Sequence, residues 1–325
     1  MKLPRRTFLH LALGAAALPA ISRKTWAQVY PTRPVRLIVG FSPGSTPDLL
    51  ARIIGEWLSE RLGQPFVIEN RPGSGSNTAT EAVVNAPPDG YTLLLASIAN
   101  SVNATIYDKL SYNFIRDVAP VAGLDRQPQV VVVNPSIAPK TLPEFIAYTK
   151  ANPGTINMAS PGNGTGPHIA GELFKMMAGV DMVHVPYRGG GPLVLTDLLS
   201  GHVQVFFGAT ASTIEYIRSG RLRPLAVTTT ARLDALPNIP SVGEFVAGYE
   251  ATQWYGIVAP RNTPPEIVDR LNGQINAAFD DARTSARFAA LGGARLRISP
   301  AEFGQLMADE TEKWARVVKF AGLKP

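Results

Sequence analysis

Two segments of this chain share one local plan: an apolar, strand-like run stops at a loop of Gly, Ser, Pro and Thr, and the loop opens a helix. The first is residues 35–40 followed by Phe41-Ser42-Pro43-Gly44-Ser45-Thr46-Pro47-Asp48. The second is residues 156–160 followed by Pro161-Gly162-Asn163-Gly164-Thr165-Gly166-Pro167-His168. A helix start leaves backbone N–H groups without intrahelical acceptors at the positive end of the helix dipole. Such a terminus suits a small anion. Two of them, closing from opposite sides, make a binding cleft. A single Gly-rich loop would read as an ordinary turn. The repeated context, with Pro47 and Pro167 near the two helix starts, lifts the pair above that reading.

Strand-like and helix-like runs alternate almost throughout, which predicts an α/β fold with largely parallel sheets. Leu49, Leu50, Ile53, Ile54, Trp57 and Leu58 recur at helical spacing. Strands are expected at 65–69, 91–98, 129–134, 182–186, 203–207 and 222–228. Capping boxes are expected at Thr141/Glu144, Ser241/Glu244, Thr263/Glu266 and Ser299/Glu302. No internal repeat is visible. The runs 128–133 and 252–259, each following an irregular stretch, read as crossover segments between two lobes. One lobe comprises 28–128 and 253–325, the other 129–252, with the C-terminal helices (264–281 and 300–320) packing back on the first.

Residues 1–27 read as an export leader. Lys2, Arg5 and Arg6 precede a short Ala- and Leu-rich run, and Ala27 suits cleavage. Arg5-Arg6-Thr7-Phe8-Leu9 resembles a twin-arginine signal, and the general secretory route stays open beside it. With Arg23 and Lys24 the leader holds five basic residues and no acid, so its removal takes the formal charge from +6 to +1. That removes the case for a nucleic-acid partner. No later segment approaches the length of a membrane span. A soluble, monomeric periplasmic protein is the expectation. Cysteine is absent, which excludes disulfides and thiolate chemistry.

Catalytic alternatives fare worse. Gly40-Phe41-Ser42-Pro43-Gly44 matches the nucleophile elbow of serine hydrolases and sits between strand and helix. That elbow needs the N–H of the residue after the nucleophile for its oxyanion hole, and Pro43 has none. The triad order also wants a late histidine, yet the last is His202. His168, His184 and His202 lack the spacing of a metal site. Neither dinucleotide-binding nor P-loop spacing occurs. No cofactor and no metal is expected. Further candidates at strand ends are Ser97 with Asn100, the segment from Glu69 to Asn77, and Arg188 after Tyr187.

The ordered motifs resemble the Bug/TctC family, extracytoplasmic receptors of tripartite tricarboxylate transporters. The resemblance spans the mature chain. It rests on the 41–48 loop, Glu69 to Gly75, Pro88-Asp89-Gly90-Tyr91-Thr92, the 160–168 loop, His184-Val185-Pro186-Tyr187-Arg188-Gly189, and 192–201 with Asp197. It implies a two-lobed periplasmic binding protein fold of type II, with the ligand cleft between lobes joined by two crossover segments. It also implies a small carboxylate ligand, membrane permease partners and no catalysis. Carried onto this sequence, the ligand residues are Phe41, Ser42, Pro43, Gly44, Ser45 and Thr46 on one lobe, with Ser97 added from its strand end. On the other lobe they are Ser160, Gly162, Asn163, Gly164, Thr165 and His168, with Asp197 near the cleft. Ser42 stands where the family often has Pro, Ser45 where it has Gly, and Ser76 and Ala79 where it has glycines.

Overall fold

A computed structural model describes residues 30–187 and 191–324. The leader and Arg188 and Gly189 lie outside the described residues.

The first strand, β1 (Val35–Val39), is apolar enough to be buried on both faces, as a central parallel strand must be. It leads into α1 (Thr46–Leu62), whose Leu50, Ile53, Ile54, Trp57 and Leu58 cover the sheet. The chain continues through β2 (Phe66–Asn70), α2 (Asn77–Val84), β3 (Thr92–Ser97), α3 (Ile98–Ile106), the single turn α4 (Phe114–Asp117) and the long β4 (Val118–Val133). Next come α5 (Leu142–Ala151), β5 (Asn157–Ser160), α6 (Gly166–Ala178), β6 (Val183–Pro186), α7 (Gly191–Ser200), β7 (Val205–Ala209), α8 (Thr210–Arg218) and β8 (Arg223–Val227). The chain closes with β9 (Thr252–Pro260), α9 (Pro265–Ala278), α10 (Ala282–Ala290), the short β10 (Ala294–Arg295) and α11 (Pro300–Ala321).

Strand order is β2-β1-β3-β9-β4-β7-β5-β6, with β8 and β10 also on β4. β1 pairs in parallel with β2 and β3, and β5 in parallel with β6 and β7. Each lobe therefore has the same plan, a parallel trio with its earliest strand in the middle and one antiparallel strand beside it. That second strand is β9 in the first lobe and β4 in the second. The sheets are mixed rather than largely parallel, because both connecting strands run against the trios they join. β4 pairs with β9 as far as Pro128 opposite Thr252, then changes partners and pairs with β7 from Gln129 opposite Ala209. The irregular 118–128 stretch of the sequence is thus strand, bulged at two places against β9.

One apolar cluster runs through both lobes, from Ile38 and Leu94 through Val131 and Trp254 to Phe174 and Phe207. Trp314 on α11 belongs to it, so the C-terminal helix joins the lobes instead of packing on the first alone. Its Lys313 Nζ reaches Glu250 Oε2 on the second crossing at 2.9 Å. Full capping boxes form at Ser241/Glu244 and Ser299/Glu302. At Thr141 the hydroxyl accepts from Glu144 N–H, but the glutamate turns to Lys140 N–H. Thr263 makes no cap, because Pro264 takes the N-cap position and Thr263 Oγ1 donates to Pro260 O. Among the described residues no helix is long and apolar enough to cross a membrane.

Candidate functional site

In a sheet ordered 2-1-3, the connections from the central and third strands leave in opposite directions, and a crevice opens beyond their carboxyl ends. Here that places residues after β1 beside those after β3, and on the other lobe residues after β5 beside those after β7. A cavity of about 120 Å³ lies at this point between the lobes. That is below the ~300–1,000 Å³ of typical drug-sized sites, so it fits a small metabolite. The first lobe contributes Phe41 and Pro47, then Gly75, then Ser97, Ile98, Ala99 and Asn103. The second contributes Asn163, Gly164, Thr165 and Gly166, and the crossing strand β9 adds Gln253 and Tyr255. Among the described residues no Lys, Arg or His lines it. Two larger hollows lie on the outer surface. In one, of about 280 Å³, the polar groups are already paired, with Arg287 Nη1 on Glu56 Oε2 at 2.7 Å.

The first loop is braced from below by Asp48, a buried carboxylate in the first turn of α1. Its Oδ2 accepts the Gly44 N–H at 2.8 Å and Arg52 Nε at 3.0 Å, while Oδ1 accepts Asn70 Nδ2 at 2.9 Å. The same Asn70 Nδ2 donates to Phe41 O at 3.0 Å. Burial would raise the Asp48 pKa, but the bonds from Arg52, Gly44 and Asn70 outweigh it and hold the group ionised, below the usual range. Ser45 N–H and Ser45 Oγ both donate to Ser42 O. Two of the loop's N–H groups, those of Gly44 and Ser45, are therefore spent inside it. Ser42, Pro43, Gly44, Ser45 and Thr46 do not line the cavity, whereas Phe41 and Pro47 on either side do.

The second loop is closed in the same manner. Gly162 N–H donates to Ser160 Oγ, Gly164 N–H to His168 Nδ1 at 3.0 Å, and Thr165 Oγ1 to Gly162 O at 2.7 Å. His168 is fully buried and stacks on His184, with ring centroids 3.6 Å apart and planes 12° apart. Burial, with the neighbouring His184 and Lys175, drives its pKa down to about 3; burial and Lys175 bring His184 to about 4. Both rings are neutral, and His168 carries its proton on Nε2 because Nδ1 accepts from Gly164. His168 does not line the cavity; its ring sits behind the loop and fixes Gly164. Ser160 is likewise buried, hydrogen-bonded to His184 Nε2 at 2.6 Å. This serine–histidine pair lies away from the cavity wall. Asp197, half-buried on α7, accepts the Tyr187 hydroxyl at 2.6 Å and does not line the cavity.

Of the expected ligand residues the structure thus brings Phe41, Ser97, Asn163, Gly164 and Thr165 to the cavity. Asn100 acts structurally: its Oδ1 accepts Ser97 N–H and its Nδ2 donates to Thr80 Oγ1. Asn103, Gln253 and Tyr255 went unnoticed in the sequence. Asn103 Nδ2 donates to Gly75 O at 2.7 Å, tying the third loop to α3. Tyr255 OH donates to Gln253 Oε1 at 3.1 Å. Gln253 and Tyr255 are two apart on β9 and so share one face, a signal that alternation along the crossing carried. Two glycines of the second loop are required by close approach. A Cβ on Gly166 would collide with Gln253 Cγ, and one on Gly164 would meet Ile106 Cδ1 at 3.2 Å, where the lobes touch.

The family model described as "Tripartite tricarboxylate transporter family receptor" matches residues 50–323. The chain belongs to this family. Among curated relatives, Protein BugT of Bordetella pertussis is 36% identical over 313 residues, covering 95% of both chains. A UPF0065 protein of Pseudomonas sp. strain P51 is 34% identical over 94% of this receptor and 92% of the relative. Among solved structures, R. palustris Rpa4515 with adipate superposes with a TM-score of 0.80 at 34% identity, covering 91% of this chain and 99% of that one. MatC from Rhodopseudomonas palustris with bound malate gives 0.77 at 29% identity, covering 89% and 100%. The receptor therefore has the two-lobed α/β fold of the periplasmic solute-binding proteins.

Proposed function

We propose that this receptor captures a small organic carboxylate between its lobes and delivers it to the membrane permease of a tripartite transporter, without reacting with it. The lobes are residues 28–128 with 253–325, and 129–252. The observation that carries this reading is the interlobe cavity lined, among the described residues, by helix starts and neutral polar groups. A carboxylate leaving water needs several good donors. Charge-assisted hydrogen bonds contribute ~1.5–3 kcal/mol each, and a partly buried helix terminus adds up to ~2. A few of these, less ordering costs, support micromolar affinity, about −8 kcal/mol. Relatives with bound adipate and malate support the ligand class. The leader 1–27 supports export to the periplasm, with the mature chain acting as a monomer.

Calorimetric titration of the mature protein with adipate, malate and their neutral diamides tests this. Saturable binding of a diacid, none of its diamide, and unchanged ligand recovered afterwards is the expected result. Turnover of the ligand would replace the receptor by an enzyme, the competing reading that the elbow-like 40–44 loop raised. That reading is disfavoured by the sequence of the loop, and among the described residues no histidine bonds to Ser42 Oγ.

A further inference from the structure

We propose that the ligand carboxylate is seated on the first turn of α3, by Ser97 Oγ and the N–H groups of Ile98 and Ala99, facing the start of α6 across the cleft. This deepens the carboxylate-receptor reading and rests on it. The glycine loop after β1 is the obvious seat, but the donors of Gly44 and Ser45 are occupied and residues 42–46 do not line the cavity. Gly44 N–H goes to the Asp48 carboxylate, and Ser45 N–H and Oγ go to Ser42 O. A chain-borne carboxylate already holds the anion position of α1.

The start of α3 differs in each respect. Ser97 is the N-cap, and its own N–H is satisfied by Asn100 Oδ1 at 2.8 Å. Its Oγ faces the Asn100 N–H in a capping box, but on a side chain 2% exposed that lines the cavity its hydroxyl proton has no acceptor. A buried hydroxyl left unpartnered is costly, and native proteins keep such groups mainly where a ligand or ion completes them. Ile98 and Ala99 form the cavity wall at N1 and N2, where N–H groups have no intrahelical acceptor. Among the described residues no acid lines the cavity. The position is also the crevice between β1 and β3 that the strand order singles out.

Two variants test the assignment with adipate and malate as probes, each read by calorimetry and by thermal melting without ligand. Ser97→Ala removes the hydroxyl. It should weaken the bound diacid on the order of 10- to 100-fold, while the ligand-free melt falls no further than the loss of one N-cap explains. A hydroxyl with a purely structural role would lower the melt and leave affinity alone. Ala99→Pro removes one N–H at N2, where this protein already carries proline in α1, α5 and α6. It should weaken binding about tenfold or more with the fold retained by circular dichroism. Wild-type affinity in both variants would overturn the seat on α3 while leaving the receptor reading in place. Failure of the wild type to bind either probe at millimolar concentration would overturn the carboxylate reading, and this assignment with it.

Discussion

Asp125 is fully buried on β4, three residues before the strand changes partners, and neither carboxylate oxygen has a hydrogen-bond partner. Arg295, opposite it on β10, instead sends Nη1 to Phe279 O and Ser285 Oγ, while on β9 Asp125 faces Tyr255. Burial pushes its pKa up to about 7. The folded state thus holds a proton that the unfolded chain releases near 4, so stability falls as pH rises from about 4 to 7 and is level above that. Asp125→Asn should gain on the order of 2–4 kcal/mol over wild type at pH 8 and little at pH 4.5, read by urea unfolding at both. An equal offset at the two pH values would refute the assignment. His168 and His184 act in the opposite sense. Their depressed pKa values keep them neutral in the fold, so stability is lost as pH falls below about 6.5. Each ring should cost about 2 kcal/mol by pH 5, and His168→Gln should flatten that slope in melts across pH 5 to 7.5.

At the scale of elements, both strand–loop–helix units were legible because period-2 apolar runs, loop composition and first-turn prolines all act within a dozen residues. What fills the N–H groups was not legible. Asp48 reads in sequence as an acid favoured by the helix dipole, and only folding brings it under Gly44 together with Asn70, 22 positions later. His168 likewise looks like a cleft residue until its ring turns back to Gly164 and onto His184. The cavity wall from Gln253 and Tyr255 depends on β4 and β9 pairing across more than 120 positions, which no local pattern specifies. Nor does the sequence repeat that would announce two lobes of one topology survive. The Gly164 contact gives a clear expectation. Gly164→Val places branched atoms against Ile106 at a left-handed backbone position (φ +72°). Affinity for the diacid probe should fall at least 100-fold, and small-angle scattering should show the molecule held open. Scattering that matches the liganded wild type would refute it.

For the whole molecule, α11 and the two crossing strands decide what motion is allowed. α11 packs on α3 of the first lobe, on the crossing strand β4 and on α6 of the second lobe, and Lys313 bridges Glu250 and Glu310 at 2.9 and 3.3 Å. Lys313→Ala should loosen that tie. We expect a larger radius of gyration without ligand, and about three- to tenfold weaker diacid binding through faster release, seen by stopped-flow Trp fluorescence. An unchanged dissociation rate would exclude the tie from closure.

β4 and β9 cross between the lobes as hydrogen-bonded neighbours, Pro128 beside Thr252. Two adjacent strands of one sheet bend along a single crease and resist twisting about any other line. A metabolite slightly too long for the space leaves that crease ajar, so the molecule turns molecular length into one angle.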